Sequence, residues 1–384
     1  MKKTVFVGLS GGVDSAVSAA LLKKQGYEVV GVFIRTWHPD FLECNEEEER
    51  HDAMRVAAHL DIPFLTFDLA DVYKKEVADH MIAEYKAGRT PNPDVMCNKE
   101  VKFGAFLKKA ISMGADFVAT GHYAQIRQGI IGQGPTFALW AKAGPCPSTN
   151  LLKGVDPSKD QSYFLWTLKQ EQLNKILFPI GHLKKTEVRN LAKKFNLPVA
   201  EKKDSQGICF LGAVDLKDFL KHYIKEKKGK VMNQKGEIIG FHDGVVFHTL
   251  GERHGFTITK KNANDRAFYI IAKDVKKNIL YVSQRNPGQV PAFAQRVTRP
   301  CLRQNPAEGK ALCLKDVNWI SEIPKQNKNY TVQIRYHSEF LPCKIKLINK
   351  IKAKIIFEKP ILVASGQSCV VYDRDVCLGG GIVI

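Results

Sequence analysis

No stretch of the 384-residue chain comes near the ~18 consecutive apolar residues that a membrane-crossing helix needs. The opening Met1-Lys2-Lys3-Thr4-Val5-Phe6-Val7-Gly8-Leu9 has the charged start of a signal peptide. Its apolar part is too short, however, and Ser10-Gly11-Gly12 and Asp14 cut it off. The expectation is a cytoplasmic protein with no membrane association. There is no C-x-x-C pair, so zinc-ribbon and thioredoxin-like chemistry have no footing. The nine cysteines, an odd number scattered widely through a long chain, make no disulfide framework. Most read as small buried hydrophobes, leaving one or two for chemistry. His38, Cys44 and His51 match no standard zinc spacing and read as a solvated loop, so no protein-bound metal is expected. Internal repeats and low-complexity linkers are also missing.

Acidic residues are in short supply: 39 Asp+Glu stand against 58 Lys+Arg, a net charge of +19. The excess is uneven. Residues 1–214 hold 28 basic and 24 acidic side chains, whereas the remaining 170 positions hold 30 and 15. Concentrated positive charge attracts a polyanion, and the attraction fades with salt. A soluble basic surface without a partner is the plainer alternative.

The first 120 residues alternate β-rich runs with helical spacing. Thr4–Leu9, Glu28–Ile34, Phe64–Asp68 and Phe117–Gly121 read as strands. Ala53/Val56/Ala57/Leu60, Ala78/Met81/Ile82/Tyr85 and Val188/Leu191/Ala192/Phe195 read as helices, with Glu46–Glu49 as an acidic first turn. This alternation predicts an α/β domain with a parallel sheet covered on both faces. Beyond about residue 212, after a helix around Asp215–Tyr223, short β-rich runs take over. The tail runs Tyr330–Tyr336, Cys343–Ile348, Lys354–Phe357 and Ser368–Tyr372 predict a small barrel or sandwich. Three domains are expected: 1–212, a small mixed domain at 213–285, and a C-terminal β-domain, taken as a barrel, at 286–384.

Ser10-Gly11-Gly12-Val13-Asp14-Ser15 sits between the first strand and the first helix. Glycines at such a turn let backbone N–H groups approach a phosphate, the helix dipole favours it, and two serines add hydroxyls. It is neither G-x-x-x-x-G-K-S/T nor G-x-G-x-x-G. The alternative is a glycine turn with an N-cap, which the position at the first βα turn makes less attractive. Two cysteines stand in chemically suggestive settings. Cys97 follows the proline-pinned Thr90-Pro91-Asn92-Pro93-Asp94 near a helix start, where a dipole and Lys99 would favour a thiolate and Asp94 could exchange protons. Cys209 follows Lys202-Lys203-Asp204-Ser205-Gln206-Gly207. Both segments also read as structure alone, a tight loop capped by Asp94 and a buried Cys-Phe-Leu strand.

S-G-G-V-D-S at this position resembles the PP-loop of the ATP pyrophosphatases, which cleave ATP between its α- and β-phosphates. Further motifs follow in order: P-N-P-D-x-x-C-N-K from Pro91, Gly121-His122-Tyr123-Ala124, Lys159-Asp160-Gln161-Ser162-Tyr163-Phe164-Leu165 and Asp204-Ser205-x-Gly207-Ile208-Cys209-Phe210. The series continues with His248-Thr249-Leu250-Gly251, Arg335-Tyr336, Gly366-Gln367 and Leu378-Gly379-Gly380-Gly381. Spanning essentially the whole chain, it resembles the tRNA-specific 2-thiouridylases.

That resemblance implies an enzyme that converts the wobble uridine of tRNA to 2-thiouridine with ATP and a persulfide sulfur. It implies that Gly8, Leu9, Ser10, Gly11, Gly12, Val13, Asp14, Ser15, Ile34 and Gly121 contact ATP. Mg²⁺ would arrive on the nucleotide. Asn92, Pro93 and Asp94 would contact the target base, with Asp94 as proton shuttle. Cys209 would carry the persulfide and Cys97 would complete sulfur release, leaving a Cys97–Cys209 disulfide. His122, Lys159, Asp160, Gln161, Arg335, Tyr336 and Gln367 would contact tRNA. A persulfide-donating protein is the implied partner, and a monomer is expected. Ile34, Gln206, Glu252 and His254 depart from the family's usual Met, Thr, Gln and Lys, the last two lowering positive charge at their turn.

Overall fold

The computed structural model describes residues 2–42, 45–128, 149–203, 215–260, 266–284 and 310–384. The alternating first segment forms β1 (Thr4–Gly8), β2 (Glu28–Arg35), β3 (Phe64–Asp68) and β4 (Phe117–Ala119). A hairpin of β5 (Ala124–Gln128) and β6 (Thr149–Lys153) then leaves the sheet before β7 (Ile176–Leu177) rejoins it. The order is β3-β2-β1-β4-β7, all pairs parallel. Side chains alternate across β1. Val5 and Val7 pack with α1 (Val13–Lys24), α2 (Glu46–His59) and the helix Lys185–Lys194. Phe6 packs on the other face with the helical segments 70–86 and 93–112. Both faces are covered, as an all-parallel sheet requires. α2 begins at Glu46, so its four glutamates meet the positive end of the helix.

Strand order reverses at β1, which has β2 on one side and β4 on the other. The crevice outside the carboxyl ends of β1 and β4 is therefore the place where this architecture binds ligands. On the opposite side the 93–112 segment winds as an α-helix over Pro93–Met96, as a π-helix over Cys97–Phe106, and as an α-helix again over Leu107–Ser112. The winding changes at Cys97.

The middle of the chain is a small mixed sheet of β8 (Gly229–Met232), β9 (Ile238–His242), β10 (Phe256–Ile258), β11 (Tyr269–Asp274) and β12 (Ile279–Ser283), ordered β10-β9-β8-β12-β11. It encloses its own core of Val231, Ile239, Ile270 and Leu280. The tail resolves the barrel-or-sandwich question. β13 (Ala311–Trp319), β14 (Asn329–Gln333), β15 (Leu341–Asn349), β16 (Lys352–Phe357), β17 (Ser368–Asp373) and β18 (Val376–Val383) form an antiparallel barrel, closed by pairing of β13 with β18.

One feature was not anticipated. The β5–β6 hairpin joins the barrel's sheet, with β6 antiparallel to β18 through Val376 opposite Leu152 and Cys377 opposite Leu151. Further bonds tie the two regions together. Asn318 Nδ2 donates to the carbonyls of Trp166 (2.8 Å) and Leu168 (2.9 Å), and Trp166 Nε1 donates to Ser368 Oγ (3.1 Å).

Candidate active site at the glycine turn and the Cys97 helix

β1 ends at Gly8, and the Leu9 N–H still donates to Val32 O (2.8 Å) before the chain turns through Ser10-Gly11-Gly12 into α1. Gly11 has φ +70°, and a Cβ there would run into the carbonyl oxygen of Glu49, so only glycine suits this turn. Ser15 Oγ donates to Gly12 O (3.1 Å) and accepts from Ser10 N–H (3.2 Å), knitting the loop with its own hydroxyl. The N-cap of α1 is Gly12, which has no side chain to satisfy the first-turn amides. Those amides and the positive end of the dipole are suited to an anion. From the neighbouring strand end, Gly121 comes so close that a Cβ would lie 2.7 Å from Ser15 N. Ile34 Cδ1 lies 3.9 Å from the point a Gly8 Cβ would occupy. Residues 8–15, Ile34 and Gly121 are thus brought to one crevice.

Sequence reasoning missed two residues here. Lys185 Nζ sits 2.8 and 2.9 Å from the carboxylate oxygens of Asp14, and Tyr123 OH donates to the same carboxylate (2.8 Å). Tyr123 lies within the Gly-His-Tyr-Ala run, but its partner is remote in sequence. Lys185, at the start of its helix, carried no local signal.

The second part of the site is the arm from Thr90 to Asn98. Thr90 N–H donates to Ser365 O (2.8 Å), and its hydroxyl meets that of Thr249 (3.1 Å), so the arm is pinned to both the barrel and the middle domain. Asn92, not Asp94, is the helix cap: its Oδ1 accepts from Val95 N–H (3.1 Å). Near it, the Tyr163 hydroxyl donates to Ser368 O (3.0 Å). Cys97 lies one turn inside the helix, 3% exposed, its N–H bonded to the carbonyls of Pro93 and Asp94. The dipole argument for Cys97 therefore weakens. Lys99, expected to support its thiolate, pairs with Glu100 at 2.8 Å. Cys209 and Gln206 lie outside the described residues.

The expected tRNA contacts divide into two groups. Arg335, Tyr336 and Gln367 gather near Tyr163, whose ring lies 6.3 Å from that of Tyr336 and whose hydroxyl bonds the residue after Gln367. Burial, then the carboxylates of Asp160 and Asp94, push the Tyr336 hydroxyl up to about 12. Arg335 Nη2 donates to Leu250 O (2.7 Å). Its Nε and the Oε1 of Gln367 are buried with no hydrogen-bond partner among the described residues. Orphaned buried polar atoms of this kind call for an explanation, and a substrate group is one.

The other group is engaged in holding loops. Asp160 accepts from Gly154 N–H (2.9 Å), Ser162 N–H (3.0 Å) and Ser162 Oγ (3.1 Å), while burial raises its pKa. Gln161 exchanges two bonds with the backbone of Tyr123 (3.0 and 2.9 Å). Pro93 opens the helix behind Asn92, and the Lys159 N–H donates to Asp156 O (3.1 Å). His122 is buried, its Nδ1 2.7 Å from Thr120 Oγ1, between the rings of Phe103 and Phe178. Burial, then the charge of Lys102, hold it well below the usual histidine range, so it is a neutral imidazole. Glu252 lies 3.6 Å from His248 Nδ1, in a polar cluster with Lys273, whose ammonium burial pushes down to about 8.

The chain matches three family descriptions in order: tRNA methyl transferase HUP domain over residues 3–213, tRNA methyl transferase PRC-barrel domain over 217–284, and aminomethyltransferase beta-barrel domain over 309–383. It is similar to the tRNA-specific 2-thiouridylase MnmA of Shewanella sp. (strain MR-7), 41% identical over 387 residues, which cover 99% of this chain and 96% of that protein. The protein of the same description from Nitrosomonas europaea is 41% identical over 388 residues, covering 100% of this chain and 98% of its own length. Among solved structures, the U34-tRNA thiolase NcsA from Methanococcus maripaludis is 16% identical with a TM-score of 0.34, covering 58% of this chain and 67% of that one. A likeness that distant carries no argument about chemistry.

Proposed function

The chain belongs to the tRNA-specific 2-thiouridylase family, ATP-using sulfurtransferases that act on tRNA, and from that premise we propose how its own residues divide the work. Residues 1–212 bind ATP and carry the chemistry, while 213–285 and 286–384 hold the tRNA. The Gly8–Ser15 turn and Gly121 take the triphosphate, with Mg²⁺ arriving on the nucleotide. Oxygen O2 of the wobble uracil attacks the α-phosphorus, pyrophosphate leaves, and C2 becomes electrophilic with AMP as its leaving group.

Two routes deliver sulfur. In one, the terminal sulfur of a Cys209 persulfide bonds to C2 and expels AMP; the Cys97 thiolate then attacks the Cys209 sulfur, and the S–S bond to the base breaks. In the other, Cys97 attacks the persulfide first, and the released hydrosulfide displaces AMP from C2. Both end with 2-thiouridine and a Cys97–Cys209 disulfide, which an external thiol reduces before the next turnover. Asp94 shuttles protons, and a separate protein recharges Cys209. The target nucleotide must leave the anticodon stack to reach the buried Cys97 helix.

The observation that carries this reading is the convergence of Asn92, Asp94, Tyr163 and Tyr336 around the Pro93–Met96 helix that leads into Cys97, with orphaned polar atoms on Arg335 and Gln367. Its test is mass spectrometry of nucleosides from tRNA incubated with the protein, ATP and a persulfide donor. 2-Thiouridine at the wobble position is expected, and Cys209→Ser should abolish it with tRNA affinity nearly unchanged. Thiolation surviving Cys209→Ser would remove that cysteine from the route.

A further inference from the structure

Between the β5–β6 hairpin and the turn that follows β14 lies a cleft of about 460 Å³. Its size is in the range of pockets that take a drug-sized group, roughly 300–1,000 Å³. Arg127, Lys153 and Asp160 line it on the hairpin side, and Tyr336, His337 and Phe340 on the barrel side. The two cations are balanced by Asp160 and Asp375, so the lining suits neither a phosphate nor a bare cation. What it offers is an aromatic surface surrounded by donors and acceptors of both kinds.

Phe340 is an exposed large apolar side chain, and it is braced. Its ring stands nearly perpendicular to that of Tyr372 (centroids 5.2 Å, 86°), with Lys153 Nζ 3.7 Å from its centroid. On the facing wall, the Tyr336 ring lies 4.4 Å from that of Phe164 and 6.3 Å from that of Tyr163, on the Ser162–Leu165 turn that packs against the Pro93–Met96 helix. The cleft therefore opens beside the arm that carries the proposed proton shuttle. Flipping a base out of an anticodon loop leaves its neighbour without a stacking partner, and an aromatic plate next to the catalytic arm replaces that partner.

We propose that this cleft holds a second, unstacked base of the tRNA, next in sequence to the target uridine, with Phe340 as its stacking plate. The proposal rests on the tRNA-thiolating reading and deepens it. The probes are anticodon stem-loop RNAs, intact or with an abasic site on the 5′ or the 3′ side of the target, with binding read by fluorescence anisotropy independently of chemistry. One of the two abasic RNAs should bind wild type roughly five- to a hundredfold more weakly than intact RNA. Phe340→Ala should weaken intact RNA by a similar factor and add nothing to the abasic loss, while Phe340→Trp restores binding. The ATP KM should not move. Unchanged affinity for intact RNA in Phe340→Ala, or losses that simply add, would overturn the assignment. If intact RNA binds but is never thiolated, the enzymatic reading fails instead, and the binding comparison still decides the cleft.

Discussion

At the residue scale, the proposed site leans on side chains that position its members. The Tyr163 hydroxyl donates to Ser368 O beside the short helix that Asn92 caps and that carries Asp94 and leads into Cys97. Tyr163→Phe removes that hydroxyl with little change of volume. It should cost about 1 kcal/mol of stability, the usual worth of one buried hydrogen bond. It should also lower kcat for thiolation roughly tenfold, as small misplacement at a reacting centre does, with tRNA and ATP affinities retained. A variant with wild-type kcat would reduce Tyr163 to packing. Lys185 plays a comparable part at the phosphate turn. Lys185→Gln leaves the Asp14 carboxylate without its cation beside the proposed triphosphate site, so the ATP KM should rise about tenfold through like-charge repulsion. Adding Asp14→Asn should recover part of that loss. Steady-state pyrophosphate release in the four variants of the cycle reads the coupling, and strictly additive losses would contradict it.

At the element scale, the hairpin is the most consequential piece. β5 and β6 belong by chain order with the nucleotide-binding sheet and by hydrogen bonding with the barrel. The nucleotide-binding region and the barrel should therefore unfold together: calorimetry should show one transition for both, and a well-separated barrel transition would contradict the interlock. The parallel sheet was legible because β1 to β4 are short, β-rich and separated by helical spacing. The hairpin was not, because its strands are 20 residues apart and no tight-turn signature joins them. The glycine turn and Cys97 were legible as motifs. The Asp14–Lys185 and Tyr163–Ser368 contacts were not, since pairings across more than 150 residues leave no local trace.

The middle sheet offers a pH test of its own. Burial, with the neighbouring His248 and Lys217 acting in the same direction, lowers His242 to about 4, against opposing contributions from Asn278 and Asp243. Between about 4 and the ordinary histidine value near 6.5, the unfolded chain binds the extra proton and the folded one does not. Stability from this group is thus present above pH ~6.5 and is lost as pH falls towards 4. Thermal melts from pH 7 to 4 should show a shallower decline for His242→Asn than for wild type; parallel curves would contradict it.

At the scale of the whole molecule, charge is the organising quantity. The last 170 positions carry twice as many basic as acidic side chains, and they build the middle sheet and the barrel that flank the site. Such a surface grips an RNA through its phosphates, with shape doing most of the selection. Filter binding from low to physiological salt should give a steep linear fall of log affinity with log salt, several units of slope for several phosphate contacts. A flat dependence would place recognition elsewhere. The arm from Thr90 to Asn98, held at once by the barrel and the middle sheet, ties that grip to the chemistry. Burial one turn inside its helix fixes the position of Cys97.

The decisive measurement is a single turnover followed by thiol-blocked peptide mass spectrometry. Enzyme carrying a Cys209 persulfide is mixed with ATP and tRNA in the absence of reductant. The account predicts one Cys97–Cys209 cross-linked peptide for each 2-thiouridine formed, and none when ATP is omitted. Full thiolation with Cys97 still open to alkylation without reduction, and no such peptide, would contradict it.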